Sequence, residues 1–179
     1  MRMEKIILVD RKDNEVGLEE KLRAHKNGGR LHRAISVFVF NPKGEVMLQR
    51  RAYTKYHSKG LWSNTCCSHP FEGESVLDAA HRRLREEMGF DCKLNEAFSF
   101  IYKAGVGNGL TEREFDHVLF GRYGKRPRPD PKEVNDWKWM GIKELKADAK
   151  RNGKDYTAWL KILLKGKLGR EVAKFAAKN

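Results

Sequence analysis

The sequence predicts an α/β (α+β) architecture, a mixed β-sheet covered by helices, and three observations predict it. Short runs rich in β-branched and aromatic residues stand on both sides of one well-capped amphipathic helix. The remaining helical periodicity gathers near the C-terminal end. The chain of 179 residues, 40% hydrophobic, is long enough to bury a core of its own. Strands and helices in this order fit a covered mixed sheet better than a regular βαβ array. Residues 1–179 read as one domain whose last part, about 142–179, is a basic helical segment.

The elements follow from local signals. Glu4 to Asp10 reads as a strand ended by the turn-forming Asp13-Asn14. Leu18 to Ala24 reads as a modest helical stretch leading to His25 and Asn27-Gly28-Gly29. His32 to Phe40 and Glu45 to Arg50, separated by Asn41-Pro42-Lys43-Gly44, predict a hairpin. Ser75 to Met88 places Val76, Ala80, Leu84 and Met88 every fourth residue, with Leu77 beside them. Ser75 and Asp78 give that helix a capping-box start, and Gly89 stands where it should stop. Two strand-like runs follow, Ala97 to Lys103 and Glu114 to Arg122, joined through the glycine-rich Gly105–Gly109. The prolines at 127, 129 and 131 exclude helix and central strand there. Val134 to Met140 reads as a strand with Trp137 and Trp139 on one face, and helices over Ile142–Lys150 and Tyr156–Ala177 finish the chain.

Composition excludes several classes. The aromatic content is too high for a disordered chain despite 34% charged residues. The longest apolar stretch, Ala34 to Phe40, is interrupted by Ser36 and falls far short of the roughly 20 residues a bilayer crossing needs. Ile6–Val9 is too short for a secretory signal, so the expected location is the cytoplasm. Three cysteines, with Cys66 and Cys67 adjacent, offer no disulfide framework. The net charge of +13 suggests an anionic partner, and the excess is uneven: residues 122–179 hold 17 basic and 7 acidic side chains, a balance of +10.

The residues able to carry chemistry form three groups. In Ser63-Asn64-Thr65-Cys66-Cys67-Ser68-His69-Pro70, extended backbone puts Cys67 and His69 on one side and Cys66 on the other. Two buried apolar thiols would explain the cysteine pair equally, but a thiol beside an imidazole or a metal can exchange protons near neutral pH. On a strand, Glu112 and Glu114 project together. They form either a solvated edge or a pair of carboxylates that needs a cation or a shared proton between them. Six histidines, His25, His32, His57, His69, His81 and His117, join these carboxylates as potential ligands of a divalent metal with more than four donors. On the central helix, Arg82–Glu86 and Arg83–Glu87 are i,i+4 pairs: surface ion pairs, or carboxylates that reach a metal-bound phosphate.

The stretch from Ser68 to Phe90 resembles a Nudix box, the loop–helix–loop that holds Mg²⁺ against a diphosphate. Glu74, Arg82, Leu84, Glu86, Glu87 and Gly89 fit the box, whereas Ser68 replaces its opening glycine and Arg83 its first helical glutamate. These departures, together with Asn64-Thr65-Cys66-Cys67-Ser68-His69-Pro70, resemble the type I isopentenyl-diphosphate isomerase family over about Lys21 to Trp159. The resemblance implies a Nudix-like mixed sheet and interconversion of isopentenyl and dimethylallyl diphosphate. It also implies one metal, Mn²⁺, Zn²⁺ or Mg²⁺, held by His25, His32, His69, Glu112 and Glu114. The same resemblance assigns Cys67 and Glu114 as the catalytic pair, Tyr102 as helper of the acid side, and Trp159 as the aromatic over the reacting carbons. Glu87 and Cys67 would hold the substrate's Mg²⁺, and Lys21, Arg51, Lys55 and Arg83 would grip the diphosphate. His57, His81 and His117 fall outside this pattern. The competing readings are a Nudix hydrolase of another diphosphate compound and, from charge alone, a nucleic-acid-binding domain, although no recognised nucleic-acid module is present.

Overall fold

The computed structural model describes residues 4–177. Strand β1 (Lys5–Val9) pairs with β2 (Glu15–Glu20), and the short helix α1 (Lys21–Ala24) follows directly. Strands β3 (His32–Phe40), β4 (Glu45–Arg51), β5 (Trp62–Ser63) and β6 (Cys66–Ser68) precede α2 (Val76–Met88). The long hairpin β7 (Leu94–Gly107) and β8 (Leu110–Arg122), then β9 (Val134–Gly141), complete the sheet. Helices α3 (Ile142–Arg151), α4 (Ala158–Leu163) and α5 (Gly166–Ala177) close the chain. None of the described helices is long and apolar enough to cross a membrane.

Strand β3 organises the molecule. It runs parallel to β8 on one side and antiparallel to β1, β6 and β4 at successive points along the other. Being paired on both edges, it carries the near-continuous apolar run that a central strand requires. Its alternate side chains feed two cores. Phe38 and Phe40 pack with Val118, Phe120 and Leu48 under α3, α4 and α5, while Ile35, Val37 and Val39 pack with Met47, Leu119 and the apolar face of α2. The mixed sheet is thus helix-covered on both faces, as composition and element order imply.

Helix α2 follows its local code. The Ser75 hydroxyl accepts from the Asp78 amide at 3.1 Å, Ala80, Leu84 and Met88 are buried, and Gly89 closes the helix at φ +69°. Leu77 instead lies on the exposed side. Three expectations need correction. Glu15–Glu20, part of which reads as helix, is an edge strand, because Glu20 to Gly17 find register partners along Lys5 to Leu8. Pairing there overrides a weak helical preference, and Glu20 becomes the cap of a four-residue α1. Both strands of the 97–122 region are longer than their local signals imply, since the turn shrinks to Asn108-Gly109, both at positive φ, and Gly105 and Gly107 lie within β7. The terminal helix is broken: Tyr156 and Thr157 are extended, and the chain turns after Leu163 through Gly166 at φ +54°. A Cβ on Gly169 would come within 2.2 Å of the Leu164 carbonyl, so this turn demands a glycine for close approach.

Candidate active site

Strand register assembles the site. Across β3 and β8, His32 stands opposite Glu114; across β7 and β8, Tyr102 stands opposite the same Glu114; across β3 and β6, Ser36 stands opposite Cys67. His25 caps α1 and His69 follows β6, so with His32 on β3 and both glutamates on β8 five donors from four parts of the fold converge. The ligand atoms of His25, His32, His69, Glu112 and Glu114 all lie within 4.8 Å of one another, and all five residues are buried. His25 Nδ1–H donates to the Lys21 carbonyl at 2.6 Å and His32 Nδ1–H to the Arg30 carbonyl at 2.8 Å. Both imidazoles are thereby held in the tautomer whose Nε2 lone pair faces the cluster. His32 Nε2, 3.6 Å from Glu114 Oε1, has no hydrogen-bond partner, an unusual cost for a buried nitrogen that a cation would remove, and His69 turns its Nε2 to the same carboxylate at 3.2 Å. Three imidazoles and two carboxylates in this arrangement fit a divalent metal.

A cavity opens beside the cluster and is lined by Cys67, Tyr102, Glu112, Glu114 and Trp159 together with Ile35, Ser36 and Ser68. Cys66, as alternation requires, faces the other way into the α2 core. The Cys67 thiol donates to Asn64 Oδ1 at 3.1 Å, and Tyr102 Oη–H donates to Glu114 Oε2 at 2.6 Å. Trp159 is buried, its Nε1–H donating to Ser63 Oγ at 3.0 Å and Asn64 Oδ1 at 3.2 Å, so its ring is held against the cavity.

Four cations share the same cavity. Lys21, Arg51, Lys55 and Arg83 line the cavity with Glu87. Lys21 pairs with Glu4 at 3.1 Å and lies 5.5 Å from the Tyr56 ring centre. Arg51 is buried 5.3 Å from the Trp159 ring centre, and its Nε has no partner. Lys55 and Arg83 both pair with Glu133, and Arg83 also pairs with Glu87, which accepts from Gln49 Nε2 at 2.8 Å.

The chain matches the family model for the NUDIX domain over residues 30–160. Isopentenyl-diphosphate Delta-isomerase 2 of Aromatoleum aromaticum is 55% identical over 161 residues, spanning 90% of this chain and 85% of that protein. Isopentenyl-diphosphate Delta-isomerase of Serratia proteamaculans is 44% identical over 173 residues, 97% of this chain and 96% of that one. This chain belongs to the isopentenyl-diphosphate isomerase family, on a Nudix fold. Solved structures of low identity bear out the fold. The crystal structure of the Deinococcus radiodurans protein DR0079 matches with a TM-score of 0.75 at 21% identity, covering 90% of this chain and 97% of that chain. The MutT protein of Methanosarcina mazei matches at 0.62 and 16% identity, covering 81% and 95%.

Within this Nudix-fold isomerase family member, the departure at Arg83 has a visible consequence: a guanidinium occupies the helix turn beside Glu87 and pairs with it. Electrostatics separate the two candidate catalytic groups. Burial pushes the Cys67 thiol up to about 12, reinforced by Asp116. Burial works against the Glu114 carboxylate too, yet the adjacent Glu112 and His32 side chains and the Tyr102 hydroxyl that donates to it hold it at about 2. Burial likewise opposes charge on His25, but Glu112 outweighs it and raises that imidazole, whereas burial carries His69 well below its ordinary value.

One histidine needs correction. His57, assigned no site role from sequence, is buried with Nε2 3.1 Å from Glu112 Oε1 and lines the cavity. It arrives there because residues 52–61 fold back on Arg51, whose amide and carbonyl bond Leu61 and Gly60, a loop closure with no periodic signal. His81 and His117 stay outside, paired with Asp91 and with Asp13 and Glu96. Asn64, Ser36, Gln49 and Glu133 also reach site residues. Ser36 could have been noticed as the one polar interruption of the apolar Ala34–Phe40 run.

Proposed function

We propose that this protein interconverts isopentenyl and dimethylallyl diphosphate, moving a double bond by one carbon through a tertiary carbocation. The observation that carries the proposal is the placement of Cys67 and Glu114 on different strands around one cavity that Lys21, Arg51, Lys55 and Arg83 also line. Shifting an unactivated double bond requires one proton to be added and another removed, with no water to trap the cation. The Cys67 thiol and the Glu114 carboxylate, the latter linked to the Tyr102 hydroxyl, supply two proton-exchanging groups in different protonation states. Because the reaction is reversible, each serves as acid in one direction and base in the other. The Trp159 ring provides a π-face for the cation, worth about 2 kcal/mol where desolvated.

The diphosphate is the handle of a substrate whose hydrocarbon tail offers little to grip. Lys21, Arg51, Lys55 and Arg83 would bind it, and the unpartnered Nε–H groups of Arg51 and Arg83 offer donors to its oxygens. Glu87 and Cys67 would hold the accompanying Mg²⁺. His25, His32, His69, Glu112 and Glu114 would hold a second divalent ion, Mn²⁺, Zn²⁺ or Mg²⁺, which when bound supplies positive charge that orients Glu114 and tunes its proton affinity. The test is incubation of purified protein with isopentenyl diphosphate, Mg²⁺ and Mn²⁺, following dimethylallyl diphosphate and free phosphate in one sample. Product without phosphate release supports isomerisation. Phosphate or pyrophosphate release without product points instead to hydrolysis.

A further inference from the structure

Asp116 lies on the face of β8 that carries Glu112 and Glu114, fully buried, yet it stands apart from the five-donor cluster. Its Oδ2 accepts from Ser36 Oγ at 2.8 Å, and its Oδ1 has no partner. Ser36 is itself buried, and its Oγ is 3.7 Å from Cys67 Sγ. A serine hydroxyl has one proton to give. Once that proton is directed to Asp116, the oxygen that faces Cys67 presents a lone pair. The second acceptor, Asn64 Oδ1, is oriented too, because Asn64 Nδ2 donates to the Val37 and Cys66 carbonyls at 3.1 and 3.0 Å. The thiol is therefore flanked by two oxygens, each aimed by a further hydrogen bond.

We infer that Asp116 is a positioning residue that acts through Ser36 to aim the Cys67 thiol at the reacting carbon, an inference that rests on the isomerase reading. The apolar substrate tail offers no hydrogen bond to hold a thiol, so its direction must come from the cavity wall, and small misplacements of a reacting group are costly. If Ser36 and Asp116 only filled space, apolar side chains of like size would serve as well and leave no carboxylate oxygen unpaired.

The test compares Ser36→Ala, Asp116→Leu and Asp116→Asn with the parent protein after circular dichroism and thermal melting establish that each folds. Three quantities are read: kcat and KM for isopentenyl diphosphate, binding of Mg²⁺-pyrophosphate, and the rate at which iodoacetamide alkylates Cys67, followed by peptide mass. Ser36→Ala and Asp116→Leu should lower kcat about tenfold or more, with KM and pyrophosphate binding within about twofold. Asp116→Asn, whose amide oxygen still accepts from Ser36, should recover most of the lost turnover. Cys67 alkylation in Ser36→Ala should shift by about threefold or more. Unchanged kcat in Ser36→Ala and Asp116→Leu, or equal losses in Asp116→Asn and Asp116→Leu with unchanged alkylation, would overturn the inference. Absence of turnover in the parent protein would instead remove the isomerase reading, while the alkylation comparison would still decide whether Ser36 positions the thiol.

Discussion

At the scale of single residues, the account rests on a thiol and a carboxylate held in opposite protonation states. Cys67→Ala removes one of the two proton-exchanging groups and should lower turnover by at least about a hundredfold. Lys21, Arg51, Lys55 and Arg83 are untouched, so affinity for pyrophosphate without Mg²⁺, measured by calorimetry, should stay within about threefold. Glu114→Gln keeps the shape but cannot accept a proton and should be equally inactive. The Cys67 value of about 12 fixes the sign of a pH effect: the thiol stays protonated below that value and becomes thiolate only above it. Alkylation of Cys67 in metal-free protein should therefore remain slow from pH 7 to 10 and rise beyond, as iodoacetamide labelling with peptide mapping would show. The residues of the metal cluster were legible only through the family resemblance, since no local spacing marks His25 or His32 as a ligand. His57, Ser36 and Asp116 were not, since their roles depend on a loop closure and a strand register. Asp116 nonetheless continues the two-residue alternation of Glu112 and Glu114.

At the scale of elements, legibility followed the range of the interactions involved. Helix α2 is coded within its own residues by a cap, a four-residue apolar repeat and a terminal glycine, and it forms as read. Strand β2 and the break before α5 depend on partners distant in sequence or on a close backbone approach, which a local pattern does not encode. Two substitutions measure what holds α2 in place. Leu84→Ala, at a fully buried position, should cost about 2–5 kcal/mol in denaturant unfolding. Gly89→Ala meets two penalties, a left-handed φ of +69° and an added Cβ 2.0 Å from the Arg128 carbonyl. It should destabilise by more than about 1 kcal/mol, and because α2 carries Arg83 and Glu87, KM should rise with it.

At the scale of the whole molecule, the +13 charge resolves into two parts. The cations assigned to the diphosphate lie in the cavity, within residues 1–121, where the balance is only +3. The larger excess sits beyond them, and Lys143, Lys150, Arg151 and Lys154 are exposed on and just after α3. Replacing these four by Gln should leave kcat/KM within about twofold while reducing retention on heparin, since they do not line the cavity and exposed charges are screened by salt. The mixed sheet and its helical cover were legible from element order alone, but the convergence of His25, His32, His69, Glu112 and Glu114 required the β3–β8 register.

The most direct measurement is proton exchange during turnover. Isopentenyl diphosphate is incubated with the protein, Mg²⁺ and Mn²⁺ in D₂O and followed by NMR. The proposed chemistry predicts dimethylallyl diphosphate with deuterium in its newly formed methyl group and, as the reaction runs back and forth, isopentenyl diphosphate with deuterium at C2, with Cys67→Ala showing neither. No product and no deuterium incorporation from the unmodified protein would contradict it.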